Sequence, residues 1–128
     1  MKDFELIAQH FKQIEMEKVF YFYDEPVLYT CFIEDIRFLA LLINIKNNEQ
    51  VWFYAVIEND AYEKLLENQI DLYSIFKFPK SGIVYKIVID KENEYFLSTL
   101  APKDILDIDL PDKGIFLSEN QGRENTTS

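Results

Sequence analysis

Carboxylates, one histidine and one cysteine are the side chains that could do chemistry in this 128-residue sequence. Asp104, Asp107, Asp109 and Asp112 lie close enough in sequence to offer the oxygen ligands that calcium or magnesium prefers. Their spacing does not match an EF-hand loop, and the intervening apolar residues of segment 105–110 are interpreted as packing residues. We therefore interpret the aspartates as a solvated acidic edge and predict no metal site.

Two carboxylate pairs, Asp24–Glu25 and Glu34–Asp35, have the composition needed for acid–base catalysis. Both occupy predicted turns, where acidic residues are common for local reasons. His10 flanks a predicted helix and Cys31 lies in an apolar run, so neither suggests an activated nucleophile. The glycines are isolated, and no phosphate-binding loop can be built from them. We predict neither catalytic residues nor a cofactor.

The charge balance restricts the class of partner. The chain has 23 acidic and 13 basic residues, a formal net charge of −10. Such a surface repels phosphate groups, which disfavours direct nucleic-acid binding and anionic membranes. It favours a basic protein partner, although the same charge also serves solubility alone. A single cysteine and a charged start without a signal-peptide pattern predict a cytoplasmic protein, of a bacterium or a phage-infected cell.

The first half of the chain predicts one helix followed by strands. An amphipathic N-terminal helix is indicated by helical spacing of apolar residues, namely Phe4, Ile7, Ala8, Phe11 and Ile14. Val19–Tyr23 and Val27–Ile33 have the aromatic and β-branched composition of strands. Arg37–Ile45 and Val51–Ile57 predict a hairpin that is apolar on both faces. Its strands should therefore be covered above and below, or on one side by a partner.

The second half predicts a helical pair and further strands. Asp60 and Glu63 have the spacing of a capping box, and Asp71 should cap a second short helix. Strands follow at 83–89 and 95–100. The whole pattern predicts an α+β fold, an antiparallel sheet of five to six strands with an N-terminal helix and a middle helical pair packed on it. We predict one domain over residues 1–117 and a disordered tail over residues 118–128, where no apolar residue occurs.

Four central segments carry a recognisable pattern: Tyr23–Thr30, Phe38–Ile43, Trp52–Val56 and Leu65–Phe76. The most specific part is Ile-Asp-Leu directly after a helix end, with a phenylalanine four positions beyond its leucine. Over residues 19–117 the chain resembles an uncharacterised family of small bacterial and phage domains of unknown function. Members often have a small residue and a glycine before Ile-Asp-Leu, where this chain has Asn68–Gln69. The resemblance implies fold boundaries and no catalytic residues.

The aromatic residues are the remaining functional signal, because tyrosine and tryptophan are enriched at interface hot spots and also build cores. We predict a non-catalytic protein-binding module: an inhibitor, an immunity-type protein or a phage-encoded blocker of a host system, including mimicry of nucleic acid by carboxylates. The alternatives are a small carboxylate- and metal-dependent enzyme and a homodimerising accessory domain. The predicted protein-binding residues are an aromatic patch and an acidic rim: Tyr21, Tyr23, Trp52, Tyr54, Glu63 and Glu67.

Overall fold

One sheet of six antiparallel strands organises the chain, and the order of strands in the sheet follows their order in the sequence. A computed structural model describes residues 14–23 and 25–117. The strands are β1 (Glu15–Tyr23), β2 (Glu25–Ile33), β3 (Ile36–Lys46), β4 (Glu49–Val56), β5 (Val84–Ile89) and β6 (Tyr95–Leu100). The helices α1 (Asn59–Leu66) and α2 (Leu72–Lys77) connect β4 to β5. The α+β class, the antiparallel sheet and the middle helical pair are confirmed.

The N-terminal helix prediction falls on residues 1–13, which lie outside the described residues. Ile14, the last member of its apolar stripe, is not helical, and β1 begins at the next residue, four positions before the predicted strand. The predicted tail at 118–128 also lies outside the described part, and the domain boundary stays a prediction. Among residues 14–23 and 25–117, no helix is both long and apolar enough to span a membrane.

Short polar turns set the strand register. Asn47 and Asn48 join β3 to β4 with φ of 55° and 66°, the left-handed conformation at both central positions that a type I′ hairpin turn requires. Asparagine tolerates this conformation better than other non-glycine residues. The polar segment between the two apolar strands therefore forms the predicted hairpin connection.

Specific hydrogen bonds mark the end of α1 and the beginning of α2. Asn68 follows α1 with φ of 62°, while the Asn68 and Gln69 amides donate to the Leu65 and Lys64 carbonyls at 3.3 and 2.8 Å, a Schellman motif. The Asp71 carboxylate accepts from the Ser74 amide at 3.0 Å, which confirms its predicted role as the cap of α2.

The predicted capping box at Asp60 and Glu63 is wrong. Helix α1 begins at Asn59, so its N-cap is Glu58, two residues before the predicted cap, and Glu58 makes no side-chain cap hydrogen bond. Asp60 therefore lies inside the first turn, where its carboxylate accepts from the adjacent Ala61 amide at 2.9 Å. An acidic residue in the first turn still favours the helix through its dipole.

The two faces of the sheet carry separate apolar clusters, as the hairpin predicts. Cluster A combines strand residues such as Leu39 and Phe53 with residues of α1, α2 and the C-terminal segment, including Leu65 and Phe76. Cluster B lies on the other face and consists of strand residues: Tyr29, Cys31, Ile33, Phe38, Ala40, Trp52, Tyr54, Tyr85 and Ile87. The helices therefore cover the A face.

The segment after β6, residues 101–117, crosses the A face and is called here the C-terminal strap. Two 3-10 turns, Pro102–Asp104 and Asp107–Asp109, shape its first half. Leu117 is buried in cluster A, and its carbonyl accepts from the Tyr21 hydroxyl of β1 at 3.4 Å. The strap therefore runs from one edge of the sheet to the other.

Candidate functional site

The predicted aromatic patch is divided between the two faces. Trp52 and Tyr54 belong to cluster B and are 6% and 1% exposed. Tyr21 is half-buried against cluster A. Tyr23 lies at the end of β1 and pairs with Glu25 across the first hairpin. The structure does not bring Tyr21, Trp52 and Tyr54 into one exposed surface, and the role of the four aromatic residues in protein binding stays a prediction.

The predicted acidic rim lies on the helical side of the sheet. Glu63 is exposed on α1, and Glu67 is exposed directly after it. Cluster B, with Trp52 and Tyr54, lies on the opposite side of the sheet from α1. The two glutamates therefore do not surround the buried tryptophan and tyrosine.

Cluster B forms a hydrogen-bonded aromatic group. The hydroxyls of Tyr29 and Tyr54 share a hydrogen bond, and the Tyr29 and Trp52 rings meet edge-on with centroids 5.4 Å apart. Burial raises the pKa of Tyr29 to about 12 and that of Tyr54 well above 10.0. Both phenols are therefore neutral at physiological pH, and their arrangement serves packing.

Cys31 is fully buried in cluster B. Burial, with the negative charge of Glu17 adding to it, raises the pKa of the Cys31 thiol to about 12. Because the thiolate is the nucleophile, a thiol with this pKa is unreactive near neutral pH. The buried position of Cys31 agrees with its place in an apolar run of the sequence.

The acidic segment of the strap is anchored to α2. The Asp107 carboxylate accepts from the Tyr73 hydroxyl at 2.9 Å and lies 3.4 Å from the Lys77 ammonium. Lys77 also donates to the Pro102 and Ile105 carbonyls at 3.2 and 2.6 Å. The Tyr73 hydrogen bond is the main cause that lowers the pKa of Asp107. In the described part of the chain, no group of three or more histidine, cysteine or acidic residues could hold a metal ion.

The strap exposes apolar side chains that the sequence assigns to packing. Ile105 and Leu110 are buried as predicted, but Leu106 and Ile108 are 64% and 87% exposed. Ile108 lies inside the second 3-10 turn, Asp107–Asp109, and Leu106 is the residue directly before that turn. Leu106, Asp107, Ile108 and Asp109 are called here the strap ridge. Alternating apolar and acidic residues are the sequence signal for this exposed surface.

Arg37 holds three elements together, and sequence reasoning missed it. Its guanidinium donates to both Glu17 carboxylate oxygens at 2.9 and 3.0 Å and to Asn59 Oδ1 at 2.8 Å. It also stacks on the rings of Tyr62 and Phe32, 4.0 and 4.9 Å from their centroids. The residue therefore ties β1 and β3 to α1. It borders an open cleft of about 400 Å³, but its hydrogen bonds are directed to protein partners.

The fold and these surfaces define a small α+β domain, a six-stranded antiparallel sheet with a helical layer and a strap on one face. The chain belongs to a family of unknown function, DUF6575, whose family model matches residues 6–127. The match confirms the resemblance to an uncharacterised family and extends beyond residues 19–117 at both ends. No curated protein and no solved structure is significantly similar to the chain.

Proposed function

We propose that the protein is a non-catalytic module that binds another protein through the strap ridge. The observation that carries the proposal is the exposure of Leu106 and Ile108 beside Asp107 and Asp109. Exposed apolar side chains rimmed by polar residues are typical of protein interaction sites. The sequence predicts Trp52 as part of the apolar binding surface. Because Trp52 is buried, we assign the apolar part of that surface to the strap ridge instead.

The ridge is held in position before any partner arrives. Buried Ile105 and Leu110 anchor its two ends in cluster A. Tyr73 and Lys77 bind Asp107 in its middle. A surface fixed in this way loses little conformational entropy when it binds, which favours affinity.

Charge indicates the chemistry of the partner. The net charge of −10 and the ridge carboxylates favour a surface rich in lysine and arginine around an apolar groove. An inhibitor, an immunity-type protein or a phage-encoded blocker acting in a bacterial cytoplasm would work in this way. Opposite charges on the partner would accelerate association, and salt would slow it.

The test is affinity capture from the cells that encode the chain, with a matched control. The ridge variant combines Leu106→Ser and Ile108→Ser, and the control combines Ile45→Ser and Met16→Ser, which are 58% and 47% exposed on strands β3 and β1. We expect the ridge variant to recover at least tenfold less of a specific partner, because two lost apolar anchors exceed about 1.4 kcal/mol. The control should recover the wild-type amount. Equal recovery by both variants, or capture of no partner by the wild type, would refute the proposal.

Strand β6 favours a second candidate, homodimerisation. The opposite edge strand, β1, carries charged residues and three register irregularities, both of which discourage pairing with another sheet. In contrast, β6 pairs regularly with β5, contains neither charge nor proline, and exposes Phe96. Light scattering over a concentration series would show a dimer that Phe96→Lys dissociates. A strict monomer at high concentration would exclude this candidate.

A further inference from the structure

Strand β6 lies at the edge of the sheet, and the hydrogen bonds of its hairpin show which of its residues face outward. Among the strands that the structure describes, β6 pairs with β5 alone. The Asp90 amide donates to the Glu94 carbonyl at 2.9 Å, so this pair and every second pair after it are hydrogen-bonded. The even-numbered residues of β6 therefore bond to β5. The amide and carbonyl groups of Leu97 and Thr99 point away from it.

We propose that this edge pairs with β6 of a second copy, antiparallel and with Leu97 opposite Leu97. Charge favours β6 as the place where two copies meet. Each copy has a net charge of −10, so most surfaces of two copies repel each other, but β6 contains no charged residue. The pairing gives a register and a symmetry to homodimerisation, the second candidate function, on which it rests.

The two ends of β6 determine the register. Antiparallel self-pairing joins outward residues to outward residues, and a centre at Leu97 brings Thr99 opposite Tyr95 on both sides. A shift of two residues one way would use Ala101, whose carbonyl already accepts a hydrogen bond within the strap. A shift the other way would use Asn93, a turn residue with φ of 66°. The register centred on Leu97 therefore pairs strand residues alone.

This register also covers the Phe96 side chain, which is 57% exposed. Leu100 packs against cluster A four residues further along β6, so Phe96 points to the same face of the sheet. In the proposed pairing, Phe96 lies opposite Ser98 of the partner subunit. It lies diagonal to the partner's Phe96 at about 7–8 Å, which is within reach of two aromatic rings. Each copy therefore buries its exposed phenylalanine beside a small side chain.

The symmetry of the pairing places both strap ridges on one side of the dimer. Residues directly opposite each other in a sheet point to the same face, so the two A faces become continuous. The strap crosses the A face of each copy and begins directly after β6, at residue 101. The dimer therefore presents two ridges to the same side. This consequence rests on the proposed function of the ridge: a partner with two basic sites would bind both ridges with avidity.

Disulfide formation between two different variants tests the register. Positions 96 and 98 of the two copies lie opposite each other without hydrogen bonds, with Cα atoms about 4.5 Å apart, a distance that a disulfide spans. Identical positions lie about 7–8 Å apart on the diagonal, which is too far. Burial raises the pKa of the native Cys31 thiol to about 12, so it does not compete.

We expect Phe96→Cys and Ser98→Cys to form a disulfide-linked dimer when they are mixed under mild oxidation, and neither variant to do so alone. Efficient cross-linking of one variant alone, or no cross-linking in the mixture, would overturn the register.

A second pair of variants tests the edge without added thiols. Thr99→Pro removes an amide donor that points away from β5, so the pairing within one copy is kept, whereas Thr99→Val keeps the donor. Because the symmetric interface loses this donor in both copies, Thr99→Pro should raise the dissociation constant of the dimer at least about tenfold. Thr99→Val should change it less than about twofold. Analytical ultracentrifugation over a concentration series measures both constants, and equal constants for the two variants would overturn the proposal.

The possible failures are distinguishable. A strict monomer would overturn both this pairing and the homodimer candidate. A dimer that forms no mixed disulfide would overturn only the pairing centred on Leu97. Both measurements use the chain alone, so their results do not depend on whether the ridge captures a partner.

Discussion

The ion pair between Arg37 and Glu17 should contribute measurably more to stability than an exposed pair of the same length. Both guanidinium–carboxylate hydrogen bonds are short, 2.9 and 3.0 Å, and the two side chains are only 15% and 26% exposed. Exposed pairs contribute about 0.2–1 kcal/mol, whereas breaking a buried pair costs about 3–5 kcal/mol. For this partly buried, bidentate pair we expect a coupling free energy of about 1.5 kcal/mol.

A double-mutant cycle measures this coupling. Urea unfolding of Arg37→Met, Glu17→Gln and the double variant gives the free energies of unfolding. The chain provides a matched control in Lys80 and Glu58, also 2.9 Å apart but 74% and 49% exposed. We expect its coupling to be about 0.3 kcal/mol. If the Arg37 coupling does not exceed that of the control pair, partial burial and the guanidinium fork do not strengthen the interaction.

The same pair predicts a pH dependence. Partial burial acts to raise the pKa of Glu17, but the hydrogen bonds from Arg37 and the charges of Arg37 and Lys18 lower it below 4.5 overall. A carboxylate with a lowered pKa in the folded state stabilises the fold above its unfolded pKa. This contribution is lost as the pH falls through the folded pKa. The coupling in the cycle should therefore be complete at pH 7 and decrease below about pH 4.5.

Three further substitutions test local parts of the structure by urea unfolding. Asn68→Gly should raise the free energy of unfolding by about 0.5 kcal/mol, because glycine adopts the positive φ without strain; a decrease would contradict this. Asp71→Ala should lower the free energy of unfolding by about 1–2 kcal/mol at pH 7 and by less near pH 3. The reason is that partial burial acts to raise the pKa of Asp71, but its hydrogen bonds lower it overall. A loss of stability that does not depend on pH would argue against the cap. Lys77→Met should lower the free energy of unfolding by about 2 kcal/mol and speed proteolysis within the strap, because the Ile105 carbonyl loses its hydrogen-bond donor at 2.6 Å. An unchanged rate of cleavage would show that Lys77 does not hold the strap.

The strands of the sheet were largely predictable because they are determined by residues that lie close together in the sequence. The hairpin of β3 and β4 was predicted to be apolar on both faces, and in the structure Leu39 and Phe53 lie in cluster A while Phe38 and Trp52 lie in cluster B. The bounds of β6 agree with the prediction because polar turn residues precede it and a proline follows soon after it. The Asp71 cap was also predictable, since its partner amide lies three residues away.

The candidate surfaces were less predictable because they depend on contacts between distant segments. Arg37 receives its partners from β1 and α1, and nothing in its own strand indicates either of them. The exposure of Ile108 depends on 3-10 geometry, whereas the sequence pattern only shows an apolar residue between acidic ones. Tryptophan is enriched at interface hot spots, but the Trp52 side chain is buried in cluster B.

The C-terminal strap affects when the protein can finish folding during its synthesis. Each strand pairs with the one made just before it, so hairpins can form in order as the chain leaves the ribosome. Cluster A still lacks Ile105, Leu110 and Leu117 until the strap emerges. Nascent chains that end at β6 would therefore hold a paired sheet with one incompletely covered face, exposed to chaperones and proteases until residues 101–117 have emerged.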